Sequence, residues 1–171
     1  MKVSDLKPDE YAAYYANYVG KVPDISLRSA LDESIAVLME YLTHVAEDRV
    51  DYAYAPGKWT IKQSLQHIID TERIFAYRAL AIARGDKTSL PGFEQDEYVA
   101  AADVSGRSFL QMIEEFRDLR RSNLTMFKSF TDKDLNQRGT MSGTAVTVRA
   151  LGYIMCGHVF HHAELYKEKY K

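Results

Sequence analysis

The chain has 171 residues, 46% of them hydrophobic and 27% charged, which is enough for one sizeable apolar core. A formal net charge of −2 leaves no basic surplus with which to hold nucleic acid or an anionic membrane, and no apolar run approaches the ~20 residues that a spanning helix needs. A single cysteine, Cys156, excludes an internal disulfide and fits a reducing interior; with no signal-peptide h-region in MKVSDLKPDEY, the expected location is cytoplasmic.

The elements follow from hydrophobic spacing. A short helix is expected from about Pro8 to Tyr18, proline being welcome in a first helical turn. The first long helix runs from about Ser26 to Glu47, with Leu27, Leu31, Ile35, Leu38, Leu42 and Val45 at spacings of three and four. The second starts at Thr60, a capping residue after Pro56-Gly57, and ends near Arg84 with Gly85 beyond it. The loop SLPGFEQDEY follows, with one helical turn or two before Ala102. A third helix is expected over about Ser105 to Phe130, then the polar connection TDKDLNQRGTMSGTAVT. The fourth starts near Thr147 and continues almost to the C-terminus. Alternation around Val50 to Tyr54 and Thr140 to Val148 is too short to predict strands. The reading is therefore all-α: one domain over residues 1–171, a four-helix bundle with long connections and short extra helices.

Within that frame the histidines stand out. Three of the five lie in GHVFHH. On a wheel of ~100° per residue with Ile154 at zero, the apolar stripe of the last helix centres at about 60°. His158 falls near 40° and His162 near 80°, on either side of that centre, while His161 falls near 340°. The helix thus buries two imidazoles four residues apart, stacked one above the other and able to share one ion, as in helical zinc motifs. His161 reads as a flanking ring that supports a ligand, and as an alternative ligand. A purely structural alternative has carbonyls or neighbouring side chains satisfying the rings, since an unpaired buried polar group costs on the order of 1–3 kcal/mol.

A third ligand has to come from another helix, and His44 and His67 remain. His67 lies at the edge of the second helix's buried stripe. His44 sits near the end of the first, where a cation complements the helix dipole. Three imidazoles leave a coordination position open, the mark of a catalytic metal site. Asp70, three residues beyond His67, is placed to accept a ligand's N–H or to act on a bound water. Glu72 points toward the Ile68 and Phe75 line, with a surface salt bridge to Arg73 or Lys62 as the alternative for both acids. Trp59, Tyr77 and Arg78 are candidate pocket residues. Arg117, Arg120 and Arg121, interleaved with acids, read as a solvated face, and Cys156, mid-helix among apolar neighbours, as a small hydrophobe.

Four stretches resemble the DinB-like (YfiT-like) metalloenzyme family: PGKWTIKQSLQHIIDTERIFAYRALAIARGD, LPGFEQDEYV, IEEFRDLRRSNLTMF and TVRALGYIMCGHVFHHAELYKEKY. The resemblance covers nearly the whole chain. It implies a four-helix bundle with long crossing connections, and one divalent metal ion, zinc or nickel, held by His67, His158 and His162. It also implies chemistry on a small-molecule thiol, since family members include bacillithiol S-transferases, mycothiol-dependent maleylpyruvate isomerases and the metal-contributing domain of thiol sulfoxide synthases. The expected partners are therefore a thiol and an electrophilic substrate, with a homodimer as the assembly common in the family. On this basis the expected activity is thiol-dependent S-transfer, in a pocket lined by Trp59, Asp70 and Tyr77. Metal-dependent hydrolysis is the enzymatic alternative, and a non-catalytic metal- or ligand-binding bundle the alternative of another class.

Overall fold

The computed structural model describes residues 1–170. In chain order the helices are α1 (Ala16–Val19), α2 (Leu27–Leu42), α3 (Ile61–Ala83), α4 (Gln95–Ala101), α5 (Phe109–Ser129), α6 (Asp132–Leu135) and α7 (Val148–Lys169). Three short strands, β1 (Ser89–Leu90), β2 (Arg138–Met141) and β3 (Thr144–Thr147), complete it. Four long helices carry the fold: α7 packs against α2 and α3, and α5 closes on α2 and α3 from the other side. No helix among the described residues is long and apolar enough to cross a membrane.

The structure departs from the sequence expectation in three places. The N-terminal helix from Pro8 to Tyr18 is instead two single 3₁₀ turns, Pro8–Glu10 and Ala13–Tyr15, leading into α1. Glu10 is the reason. Its buried carboxylate accepts hydrogen bonds from Thr147 Oγ1 (2.8 Å) and Arg149 Nε (2.6 Å), which pins the segment to the start of α7. The first long helix stops at Leu42 rather than Glu47.

The third departure is the sheet, so the fold is mostly helical rather than strictly all-α. β2 and β3 pair antiparallel with Met141 opposite Thr144, and β1 adds in parallel, Leu90 opposite Met141. The loop between β2 and β3 is Ser142-Gly143, with φ of 49° and 76°. Two positive φ values in a two-residue loop match the twist of a tight hairpin. The signal was present as a Ser-Gly pair flanked by β-formers, but four-residue strands fall below what alternation resolves.

Where capping chemistry was legible, the boundaries agree. Thr60 accepts from Gln63 N (3.1 Å) and Gln63 reciprocates on Thr60 N (2.9 Å), a capping box that starts α3. Thr147 caps α7 through its hydroxyl, accepting from Ala150 N (3.2 Å), whereas α5 starts after Ser108, which accepts from Gln111 N, three residues later than the expected Ser105. Two apolar clusters fill the interior. One gathers Leu31, Phe75, Phe127, Leu151 and Ile154, the other Leu38, Leu65, Ile68, Phe116 and Val159.

A polar network also crosses this interior. Glu72 of α3 and Arg120 of α5 are 2% and 0% exposed and form a two-point ion pair, Nε–Oε1 and Nη2–Oε2 each 2.9 Å. Asn123 donates to Glu72 (2.8 Å), and Arg120 donates onward to Ser34 Oγ (2.9 Å) and the Leu31 carbonyl of α2. One sequence expectation is corrected here: Arg120 is core rather than solvated face. Glu72 turns inward as its helix position indicated, and pairs with Arg120 rather than in the surface bridge to Arg73 or Lys62 offered as the alternative. Arg117 and Arg121 are exposed as expected. Removing one partner leaves the other charge buried and unpaired, so Arg120→Met is expected to cost about 3–5 kcal/mol in urea unfolding. The double variant Glu72→Met/Arg120→Met should lose less than the two single losses combined, which a double-mutant cycle measures.

Candidate metal centre

The Thr147 cap sets the phase of α7, and that phase turns His158 and His162 into the interior, 6% and 4% exposed. From across the bundle α3 delivers His67, also 4% exposed. His67 Nε2 lies 2.9 Å from His158 Nε2, and His162 Nε2 lies 3.2 Å from it. One nitrogen from each ring falls within 4.8 Å of the other two.

Hydrogen bonding alone serves this arrangement poorly. A neutral imidazole nitrogen offers one N–H or one lone pair, never both, yet two nitrogens close on His158 Nε2. One cation satisfies all three lone pairs together. Ligand nitrogens about 2.1 Å from an ion stand about 3.4 Å apart at tetrahedral angles and about 3.0 Å apart on an octahedral face. The observed 2.9 and 3.2 Å lie close to that range, so the donor set fits a divalent metal ion.

The electrostatics agree. Burial pushes the His67 pKa down to about 4, against a partial lift from the Asp96 carboxylate. Burial, reinforced by the other imidazoles, holds His158 and His162 well below the ordinary histidine range. All three rings are therefore neutral at pH 7, the form that ligates metal. The far nitrogens of two of them face hydroxyls of α3: Thr71 Oγ1 is 3.5 Å from His67 Nδ1, and Ser64 Oγ is 3.3 Å from His162 Nδ1. Such outer partners fix ring orientation and tautomer.

Two clefts meet at the rings. One, of ≈ 550 Å³, is bordered by His67 and His158 together with Tyr15, Phe75, Arg78 and Phe93. The other, of ≈ 640 Å³, is bordered by His67 and His162 together with Tyr54, Lys58, Trp59 and His161. Tyr18, Gln95 and Asp96 line both. Tyr18 walls the site closely, its ring 5.6 Å from that of His158 and 5.5 Å from that of His161.

Of the residues singled out in the sequence, the structure brings Trp59 to the site, its ring 4.8 Å from that of His67. Asp70 lines neither cleft. It accepts a hydrogen bond from Gln66 (2.9 Å) on the flank facing Arg73 and Arg107. Tyr77 is 60% exposed and also lines neither. His44 is exposed, its Nδ1 2.7 Å from the Glu40 carbonyl, beside a separate cavity of ≈ 380 Å³ that contains none of the three rings. Cys156 is fully buried, and burial pushes its thiol up to about 12, which excludes a thiolate at neutral pH. Sequence reasoning missed Tyr18, Gln95, Asp96, Ser64 and Thr71. The last two were within reach, since positions three before and four after His67 share its helix face.

Residues 30–165 match the family model of the DinB superfamily. The chain belongs to that superfamily. Among solved structures, this DinB protein is similar to YfiT from Bacillus subtilis, described as a probable metal-dependent hydrolase with an unusual four-helix bundle topology. The two share 18% identity over 95% of this chain and 92% of that one, with a TM-score of 0.67. It is also similar to a mycothiol-dependent maleylpyruvate isomerase, at 13% identity and a TM-score of 0.68. That likeness covers 82% of this chain and 60% of the isomerase, and at these identities both neighbours establish the fold alone. No curated protein matches.

One packing detail of this DinB bundle is directly testable. A Cβ at Gly157 would stand 2.0 Å from the Tyr18 carbonyl oxygen, so α1 reaches α7 only because position 157 has no side chain. Gly157→Ala is expected to lower stability by about 1–3 kcal/mol, the usual cost of overpacking. It should also speed proteolysis before Gly20 as the Tyr18 wall lifts, whereas unchanged unfolding and cleavage would contradict the close approach.

Proposed function

We propose that this DinB-superfamily protein is a divalent-metal enzyme in which His67, His158 and His162 hold one zinc or nickel ion, and that it transfers a small thiol to an electrophile. The observation that carries this reading is the convergence of three neutral ring nitrogens at the join of two separate clefts. A divalent ion held there would lower the pKa of a thiol presented to it, so that the nucleophile exists as thiolate at neutral pH.

The chain's own groups set the conditions. Three neutral donors add no negative charge, so the site retains an attraction for an anionic ligand that a carboxylate-rich site would lose. Ser64 and Thr71 keep the far nitrogens of His162 and His67 occupied and their near ones aimed at the centre. Trp59, Tyr18 and Phe75 wall the clefts with aromatic surface, which excludes water and strengthens charge interactions. Asp96 lines both clefts beside His67 and is exposed, so it is placed to carry the thiol proton out to solvent. Two approaches to one centre suit a two-substrate reaction, thiol from one side and electrophile from the other. Trp59 keeps its role as a pocket wall; Asp70 and Tyr77 have none in this scheme.

A second reading, metal-dependent hydrolysis, is favoured by the description of YfiT, which aligns over 95% of this chain. The same centre would then present water in place of thiol. Incubating the metal-loaded protein with a low-molecular-weight thiol and a chlorinated nitroaromatic separates the two. Transfer forms a carbon–sulfur bond, releases chloride and passes the thiol proton to solvent. The expected result is the thioether conjugate, with its rate lowered at least a hundredfold in His67→Ala. Hydrolytic product without conjugate overturns the transferase reading and favours the hydrolase.

A further inference from the structure

We propose that Arg78 is a carboxylate-recognition residue, and that the ≈ 550 Å³ cleft beside the histidines takes a small organic acid with its anionic end seated on that guanidinium. This deepens the enzyme reading by naming a substrate class, and it rests on that reading only for the consequence that the acid is a reactant.

The first observation is a buried cation with no counter-ion. Arg78 is 3% exposed and lines the cleft. Buried charges are ordinarily paired, because an isolated one loses most of its hydration. The other buried arginine, Arg120, shows the ordinary solution, a two-point pair with Glu72. Arg78 has nothing comparable. Its Nη2 donates to the Pro91 carbonyl (2.6 Å), its Nη1 lies 3.8 Å from the Met141 sulfur, and the phenol groups of Tyr15 and Tyr98 are its further polar neighbours. No carboxylate stands within ion-pairing distance of it among the described residues, although Glu94 and Asp96 line the same cleft from its exposed side. A guanidinium has five N–H donors in a fork that matches a carboxylate, and those not used by Pro91 have no anionic acceptor.

The surroundings suit an organic anion. Phe75 and Phe93 flank the guanidinium, each ring centre 5.7 Å from it, so an acid seated there lies between aromatic walls. The Phe75 ring is also 6.4 Å from that of His158, so a single side chain separates the guanidinium from the histidines. Hydroxyls of Tyr15, Ser142 and Thr144 line the same space. The β2–β3 turn places Ser142 at the cleft.

The test uses chelator-treated protein, so that a bound metal cannot itself hold the probe. Titration calorimetry with benzoate is expected to show one site per chain, with the neutral isostere benzamide at least tenfold weaker. Arg78→Met should lose at least tenfold in benzoate affinity while still taking up zinc like the wild type, and its melting temperature should stay level or rise, because an uncompensated charge has been removed. Equal affinity for benzoate and benzamide, no benzoate binding, or unchanged affinity in Arg78→Met would each overturn the proposal. An Arg78→Met protein that fails to fold would count against it too, by giving Arg78 a structural role, and the wild-type comparison decides independently. Benzoate selectivity in a protein that takes up no metal would sink the metalloenzyme reading and leave this one standing.

Discussion

Three neutral imidazoles facing one another inside the bundle are the constraint on which the rest of this structure turns. Their near nitrogens stand 2.9 and 3.2 Å apart, and each brings a single lone pair or a single proton. An unsatisfied buried polar group costs about 1–3 kcal/mol, so the arrangement opposes folding unless something completes it. The stabilising parts of the molecule are arranged around the three rings.

Those parts hold α3 and α7 at a set separation and rotation. At the start of α7, Glu10 joins the N-terminal segment to Thr147 and Arg149. Although burial alone would raise its pKa, hydrogen bonds from Arg149, Lys7 N and Thr147 hold Glu10 at about 2, so the clamp is charged throughout the neutral range. Across the bundle, Glu72, Arg120, Asn123 and Ser34 tie α3 to α5 and α2. The network lies on the same helix as His67 without touching its ring, so its work is to hold α3 in place. The hairpin does something different: it closes one side of the Arg78 cleft, contributing Ser142 and Thr144 to the lining and placing the Met141 sulfur beside the guanidinium.

How much was legible in the sequence varies with how local the cause is. The long helices were legible because spacing and capping act within a few residues, and Thr60, Thr147 and the 158/162 pair stand where their own helices place them. His67 looked marginal on its wheel, since a single stripe describes a helix with one buried face. In the structure α3 is covered from more than one side, by α5 and α7 and also by α4 and β2, so an edge position becomes interior. Arg120 misled for a related reason: a charged residue reads as exposed until its partner on another helix is known. Asp70 was chosen for nearness to His67 in sequence and Tyr77 only as a general pocket candidate, and the helix turns both away from the clefts. Tyr18 left no signal at all, because its place depends on the missing side chain of Gly157 far along the chain.

The most direct measurement is metal content by elemental analysis of protein purified without a polyhistidine tag, paired with melting in the presence and absence of chelator. The account predicts about one divalent ion per chain, and a melting temperature that falls by several degrees on chelation, because ligand at a hundredfold excess over its dissociation constant adds about 2.7 kcal/mol. Substoichiometric metal together with a melting temperature indifferent to chelator would contradict it, and would leave the three histidines as a feature of the core.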